Sequence, residues 1–274
     1  MGPPYHVAYL GPEGTFSQEA TIKHFGHTAH TVACGSIDEV FRKVEANAVE
    51  HGVVPVENST EGAVGRTLDL LLSTPLKICG EATLRIRQQL LRRVPGVTGV
   101  NRIYSHAQSF AQCNEWVNRN LPGIERVEVA SNAEAARRAA HDENSAAIAG
   151  EAAATIYKLM VIGQGIEDEP DNTTRFLILS VRDAAPCGRD KTSFVMSTPN
   201  RPGAMVALLR PLARHGVSMT KLESRPSRKG LWEYVFFTDI EGHARDPRVA
   251  RALAEVHERA GFMKVLGSYP AAVP

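Results

Sequence analysis

The sequence predicts an α/β protein in which two lobes of alternating strands and helices are followed by a smaller βαββαβ unit. Three observations predict it. Short apolar runs alternate with helical periodicities from His6 to Leu72, the pattern that favours a mostly parallel sheet with helices on its faces. A second alternating set begins with the long run from Leu76 to Leu91 and continues past Glu151. The stretch from Arg182 to Lys191, with Pro186, Gly188 and several charges but no periodicity, then breaks the pattern as a linker would.

In the first set, His6 to Leu10 is a strand, a glycine-bounded loop follows, and Thr15 to Phe25 is helical. Thr31 to Ala33 and Ser36 to Ala46 repeat that order. His51 to Glu57 is a strand, and Val64, Leu68, Leu71 and Leu72 form the apolar stripe of the next helix. In the second set, Asn101 to Tyr104 is a strand, Gln108 to Asn118 a helix and Glu125 to Val129 a strand. Asn132 is the expected N-cap of an alanine-rich helix to His141, and Ala146 to Ala149 leads into a helix from Glu151. Because the apolar strand Thr174 to Ser180 follows both sets, the chain is expected to return to the first lobe and leave a cleft, where ligands of open α/β sheets collect.

Beyond the linker come a strand from Thr192 to Ser197, a helix from Gly203 to His215, strands from Val217 to Glu223 and Leu231 to Asp239, a helix from Asp246 to Ala260 and a strand from Phe262 to Leu266. That order is the ferredoxin-like split unit. Pro202 suits the first turn of its helix and Gly216 the residue past the end.

Composition narrows the function. At 274 residues the chain suits two domains, since domains usually run roughly 100 to 200 residues. With 31 basic and 30 acidic residues the formal charge is +1, which offers no footprint for nucleic acid or an anionic membrane. The start, Met1 to His6, has no basic stretch followed by an apolar run, and no segment nears the roughly 20 apolar residues of a bilayer span, so a cytoplasmic protein is expected. Cys34, Cys79, Cys113 and Cys187 lack metal-site or disulfide-scaffold spacing and read as reduced packing residues. His24, His27 and His30 are interrupted by Gly26 and lack a carboxylate partner, so no metal site is expected. The run Glu167 to Asp171 reads as a solvated acidic loop, and Arg85, Arg87, Arg92 and Arg93 as a solvated basic face.

Four polar motifs stand out: Gly11-Pro12-Glu13-Gly14-Thr15-Phe16-Ser17, Glu57-Asn58-Ser59-Thr60-Glu61-Gly62, Ser105-His106-Ala107-Gln108 and Thr173-Thr174-Arg175-Phe176. Each places hydroxyls, amides or a guanidinium at a strand end or helix start. There, free N–H groups and the helix dipole would attract an anion, and Arg175 could grip a carboxylate bidentately. Together they suggest one convergent site for a small anion.

In order and spacing these motifs resemble those of prephenate dehydratases. The tail, with Asn200-Arg201-Pro202-Gly203-Ala204-Met205-Val206 and Glu223-Ser224-Arg225-Pro226, resembles the ACT regulatory domain those enzymes carry. The resemblance covers nearly the whole chain. It implies a two-lobed, periplasmic-binding-protein-like catalytic domain at 1–182, with lobe one about 1–78 plus 165–182 and lobe two about 79–164. A linker at 183–190 and an ACT domain at 191–274 complete the expectation.

The implied reaction converts prephenate to phenylpyruvate with loss of water and carbon dioxide and uses no cofactor. Thr174, Arg175 and His106 are the implied catalytic residues, and Thr15, Asn58, Ser59, Thr60, Ser105, Gln108 and Phe176 the implied substrate contacts. A threonine hydroxyl is a very weak acid, so it serves as an oriented hydrogen-bond donor shading into a general acid. Glu57 reads as a supporting acid. Ala107 stands where the family frequently has proline, and Met205 where leucine is usual.

The ACT resemblance implies phenylalanine as effector, bound at Asn200, Pro202, Gly203, Ala204, Met205 and Val206, with Glu223, Ser224, Arg225 and Pro226 close by across an interface between copies. A homo-oligomer, dimer or dimer of dimers, follows from the same resemblance and from the exposed edges of a βαββαβ sheet. Arogenate in place of prephenate, or a sensor that binds a small acid without turnover, are the alternatives.

Overall fold

The computed structural model describes residues 5–227 and 234–272. The amino terminus from Met1 to Pro4 and the expected strand start at Leu231 lie outside the described residues. The described residues form a mixed α/β protein with three sheets.

The first sheet has the order β2-β1-β3-β11-β5: β1 His6–Leu10, β2 His30–Cys34, β3 His51–Asn58, β5 Lys77–Arg85 and β11 Thr173–Ser180, with the short β4 Gly62–Ala63 beside β3. β1 and β2 run parallel, His6 opposite His30 through Leu10 opposite Cys34, as βα repetition requires. Helices α1 Phe16–Phe25, α2 Ile37–Glu45 and α3 Gly65–Ser73 connect these strands. Val53, Val54 and Val56 of β3 and Phe176 to Leu179 of β11 are buried, so the middle of the sheet is apolar and its polar residues sit at strand ends.

The second sheet has the order β10-β6-β9-β7-β8: β6 Gln89–Arg92, β7 Arg102–Ser105, β8 Glu125–Glu128, β9 Ser145–Ala149 and β10 Met160–Gly163. β7 is parallel to β8 and β9, but β6 is antiparallel to both β9 and β10. The single run expected from Leu76 to Leu91 is two strands, β5 and β6, and β10 was not expected. The helix expected from Gln108 to Asn118 is two, α4 Ala107–Gln112 and α5 Asn114–Asn120. They divide at Cys113, whose φ of −120° and ψ of 17° leave the helical region. α6 Asn132–Ala139 and α7 Glu151–Tyr157 complete this part.

Ala135, Ala136 and Ala139 of α6 are fully buried together with Ala147 and Ala149 of β9 and Ala153 of α7. Side chains of one methyl let helix and sheet approach closely, so this core owes its packing to small volume. The cap of α6 is Ser131, whose Oγ accepts from Glu134 N at 3.1 Å; the expected cap, Asn132, is the first helical residue and spends its amide elsewhere.

Two surface expectations are corrected. Arg92 is 3% exposed and donates to the carbonyls of Gly96, Thr98 and Glu143, so it ties loops together. In the acidic run, Glu167 accepts from Gln88 N at 2.8 Å. Asp168 accepts from Glu115 N and Trp116 N at 2.9 and 3.1 Å, capping α5 where the helix dipole favours a carboxylate.

The third sheet is antiparallel, with the order β13-β14-β12-β15: β12 Asp190–Ser197, β13 Met219–Pro226, β14 Tyr234–Glu241 and β15 Phe262–Pro270. Helices α8 Ala204–Arg214 and α9 Pro247–Arg259 complete the expected βαββαβ unit. Phe194, Met196, Leu208, Leu212, Ile240, Val249 and Val256 form its core. α8 starts one residue later than expected: Gly203, with φ of +77°, is its N-cap, and Pro202 lies outside the first turn.

The chain divides into two compact units. One holds Met1–Val40, Val53–Gly62 and Thr83–Phe176; the other holds Phe41–Gly52, Ala63–Ala82 and Leu177–Pro274. The second unit therefore joins α3 and most of β5 to the βαββαβ sheet through polar and close contacts. Lys191 donates to the buried Glu81 at 2.8 and 3.0 Å, and Arg225 pairs with Asp69 at 3.0 Å. Lys264 Nζ donates to the carbonyls of Leu71, Leu72 and Thr74 at 2.9, 3.2 and 2.6 Å, closing the C-terminus of α3. Gly267 meets the backbone of Ile78 so closely that any Cβ there would collide with it. Among the described residues no helix is long and apolar enough to cross a membrane, and no group of three or more His, Cys, Asp or Glu side chains could hold a metal ion. Cys34, Cys79, Cys113 and Cys187 are thiols rather than disulfides.

Candidate active site

At the start of β11, Thr174 and Arg175 are half-buried, and the carboxyl end of β3 brings Asn58 to them. Asn58 Nδ2 donates to Thr174 Oγ1 at 2.9 Å and to Asn172 Oδ1 at 2.7 Å. Asn58 Oδ1 accepts from Thr60 N at 3.0 Å, Thr60 Oγ1 at 2.6 Å and Glu61 N at 3.2 Å, so its side chain also builds the turn that follows β3. Ser59 locks the turn onto β11: its N donates to Thr173 O at 2.9 Å and its Oγ accepts from Thr173 N at 3.0 Å.

The Arg175 side chain, 14% exposed, has its Nη1 3.8 Å from Glu57 Oε2. The acid at the end of β3 is thus one partner of this guanidinium, while Asp171 faces Arg85 at 4.0 Å. Phe176 is 1% exposed and packs beneath the strand end, in the core.

Around the second motif, Ser105 is fully buried at the end of β7 and bonds Asn132 Oδ1 and Ile148 O at 3.2 and 3.3 Å. His106 caps α4, its Nδ1 accepting from Gln108 N at 3.3 Å, and its backbone N donates to Asn132 Oδ1 at 3.1 Å. An accepting Nδ1 leaves Nε2 as the protonated nitrogen of a neutral ring, hence a donor. Among the described residues the Gln108 side-chain amide makes no hydrogen bond and keeps its donors available.

A chain of amides runs onward. Asn132 Nδ2 donates to Ser109 Oγ at 2.7 Å, Gln88 Nε2 donates to Ser109 Oγ at 3.0 Å and to Gln112 Oε1 at 3.2 Å, and Gln112 Nε2 donates to Glu61 Oε1 at 3.0 Å. The turn after β3 and the start of α4 are thereby linked through residues that single-motif reading passed over: Glu61, Gln88, Ser109, Gln112, Asn132 and Asn172. Ser109 and Gln112, three apart on α4, share a helical face, which is the one signal in the sequence that pointed to them.

At the strand-to-helix turns several of the expected amide donors are already taken. Gly14 N donates to Gln18 Oε1 at 2.7 Å, and Gly11 N to Cys34 O at 2.8 Å. The N–H groups of Thr60, Glu61, His106 and Gln108 go to Asn58, Asn132 and His106 itself. Thr15 Oγ1 donates to Leu10 O at 3.0 Å. With these amides taken, the groups that can hold an anion are the Thr174 hydroxyl, Arg175, the His106 Nε2 and Gln108, beside the first-turn amides of α1, to which Thr15 makes no side-chain cap.

In the second unit a cavity of about 1170 Å³ is lined by Asn200, Ala204 and Met205 from the expected effector loop, together with Leu72 and Ser73 of α3 and Tyr234 of β14. Pro202, Gly203, Val206, Glu223, Ser224, Arg225 and Pro226 are not on its wall. Arg225 is instead paired with Asp69, its guanidinium lying where a Cβ on Gly65 would stand.

The fold and these motifs define a class: an α/β domain with a polar site at its strand ends, joined to a βαββαβ module. The sequence matches the family model of prephenate dehydratase over residues 7–184 and that of the ACT domain over residues 192–258. It is 56% identical over 273 residues to the bifunctional chorismate mutase/prephenate dehydratase of Neisseria gonorrhoeae, covering 98% of this chain and 75% of that protein. Among solved structures, the prephenate dehydratase of Arthrobacter aurescens in complex with L-Phe superposes with a TM-score of 0.88 at 35% identity, over 97% of this chain and 90% of that one. A protein described as a quorum quenching acylase, GqqA, superposes equally, with a TM-score of 0.88 at 30% identity over 97% and 98%. The chain belongs to the prephenate dehydratase family.

Proposed function

We propose that the chain converts prephenate to phenylpyruvate, with Thr174 as the donor to the departing hydroxide. The reaction breaks the bond from the ring to its carboxylate, releases carbon dioxide, and sends that electron pair into the ring as the hydroxyl leaves. Hydroxide needs one proton to depart as water, and aromatisation supplies the driving force, so no redox group is required. The observation that carries the reading is the direction of the Asn58–Thr174 bond: an oxygen that accepts from an amide keeps its own hydrogen free to donate to the substrate. Arg175 holds a substrate carboxylate while Glu57 orients its guanidinium, and His106 and Gln108 supply further donors from the start of α4. Thr15, Ser59 and Thr60 border the substrate, and Ser105 and Phe176 support the site from beneath.

In this reading residues 1–182 form the catalytic domain, 183–190 the linker and 191–274 the ACT domain, in a cytoplasmic homo-oligomer. Met219, Leu222 and Tyr234, exposed on the edge strand β13 and its neighbour β14, support pairing between copies. Phenylalanine binds at the Asn200–Met205 loop and lowers activity by favouring an unproductive arrangement. An acyl-transfer reading, as the GqqA description would suggest, calls for a hydroxyl activated by a base. Among the described residues no carboxylate or imidazole accepts from Thr174, which favours the dehydratase.

Incubation of the protein with prephenate, with arogenate in a parallel arm, tests the reading: phenylpyruvate absorbance should rise with prephenate and fall in rate when millimolar phenylalanine is added. Turnover of arogenate alone would reassign the substrate, and tight binding of prephenate without product would make the protein a sensor.

A further inference from the structure

We propose that Asn172 is a positioning residue for the dehydration, acting through Asn58 to keep the Thr174 hydroxyl turned outward as a donor. The proposal deepens the dehydratase reading and rests on it for the reaction, though not for the geometry.

The argument follows from which groups can only donate. The backbone N–H groups of Thr60 and Glu61 reach one end of the Asn58 amide, so that end is the oxygen. The other end is then the nitrogen, with two hydrogens. One goes to Thr174 Oγ1 at 2.9 Å and the other to Asn172 Oδ1 at 2.7 Å. Both donors of Asn58 are therefore used, and the two acceptors complete the fixing of an amide whose oxygen already takes Thr60 and Glu61. Asn172 is itself fixed at both backbone groups: its N donates to Glu169 O at 3.3 Å, and its O accepts from Ile86 N at 2.8 Å.

The other half of the Asn172 side chain shows what that arrangement costs. The residue is 1% exposed, yet its Nδ2 is buried without a hydrogen-bond partner. A buried, unpaired amide nitrogen is a standing penalty and calls for a reason. Here the reason is the oxygen on the same group: turning the amide to pair the nitrogen would put a donor against Asn58 Nδ2 and release the Thr174 contact.

Two variants test this, with kcat, KM and pH dependence measured on folded protein alongside the wild type. Asn172→Ala removes the acceptor and should lower kcat about 10- to 100-fold while KM changes little, because the defect lies in orientation at the reacting bond. Asn172→Asp keeps an accepting oxygen. Burial raises the pKa of the new carboxyl, so below that pKa it is neutral and serves as the amide did. Above it, a negative charge stands beside a doubly negative substrate. N172D should therefore retain activity at low pH and lose it along a new descending limb absent from the wild type.

A folded N172A with kcat within about twofold of the wild type, or with its whole defect in KM, overturns the proposal. If N172A does not fold, N172D decides: it keeps the accepting oxygen, so a kcat that falls as far at the acid end of the profile as at neutral pH overturns the proposal. Solvent exchange of the Asn58 side-chain amide hydrogens, followed by NMR, separates this proposal from the dehydratase reading. It should quicken in either folded variant that loosens the contact, N172A above all, even in a protein that proved inactive on prephenate. Unchanged exchange in N172A would refute the positioning role.

Discussion

Asn58 Nδ2 stands 2.9 Å from Thr174 Oγ1, joining residues 116 positions apart at the ends of two neighbouring strands, β3 and β11. Replacing Thr174 by valine, which keeps the shape and removes the hydroxyl, should lower kcat about 10²- to 10⁴-fold, the usual worth of a positioned proton donor. Thr174→Ser should recover much of the rate, since serine restores both the acceptor for Asn58 and the outward hydrogen. Steady-state kinetics of the two variants side by side checks this.

Arg175 is expected to bind rather than react. Arg175→Lys keeps the charge but loses the fork that matches a carboxylate, so KM should rise roughly tenfold with a smaller change in kcat. Initial rates over a range of prephenate concentrations separate the two parameters.

Lys264 closes the end of α3 with three carbonyl contacts, and the same end of that helix, at Leu72 and Ser73, forms part of the wall of the cavity beside Asn200 and Met205. α3 begins at Gly65, a few residues beyond the turn built by Asn58. Lys264→Met keeps the apolar stem and leaves the carbonyls unpaired. It should cost about 1–3 kcal/mol of stability and blunt inhibition by phenylalanine while basal turnover stays near that of the wild type. Thermal melts and inhibition curves on the same preparation test both effects.

Much of the architecture was legible in the sequence, because strands His6–Leu10, His51–Asn58 and Thr173–Ser180 and the whole βαββαβ tail carry their periodicities openly. What escaped reading was decided by distant partners. Asn132 looks like a cap but is drawn to Ser105, His106 and Ser109, leaving Ser131 to cap α6. Thr174 and Arg175 were visible through their motif. Asn172, two residues earlier in the same stretch, was not, since its role exists only once β3 brings Asn58 alongside.

Glu134 offers a pH-dependent check. Hydrogen bonds from Arg137 and Arg138 hold its carboxyl at about 2, below the ordinary 4.5. A depressed carboxyl contributes stability that is fully present above the ordinary value and is lost as pH falls from there towards about 2. Glu134→Gln should therefore be less stable than the wild type at neutral pH, with the difference shrinking below pH 4.5. Urea unfolding at a series of pH values measures it.

The thiols should divide sharply. Burial pushes Cys79 up to about 11 and raises Cys113, while Cys34 is buried and Cys187 exposed. At mildly alkaline pH the native protein should show one fast-reacting thiol, Cys187, and all four only after denaturation. Mass spectrometry after brief alkylation identifies the labelled residue.

The most direct test of the central claim is phenylpyruvate formation from prephenate by the wild type and by folded Thr174→Val under identical conditions. The account predicts rapid product in the first and a rate at least about a hundredfold lower in the second. Equal rates, or no product from the wild type, would contradict it.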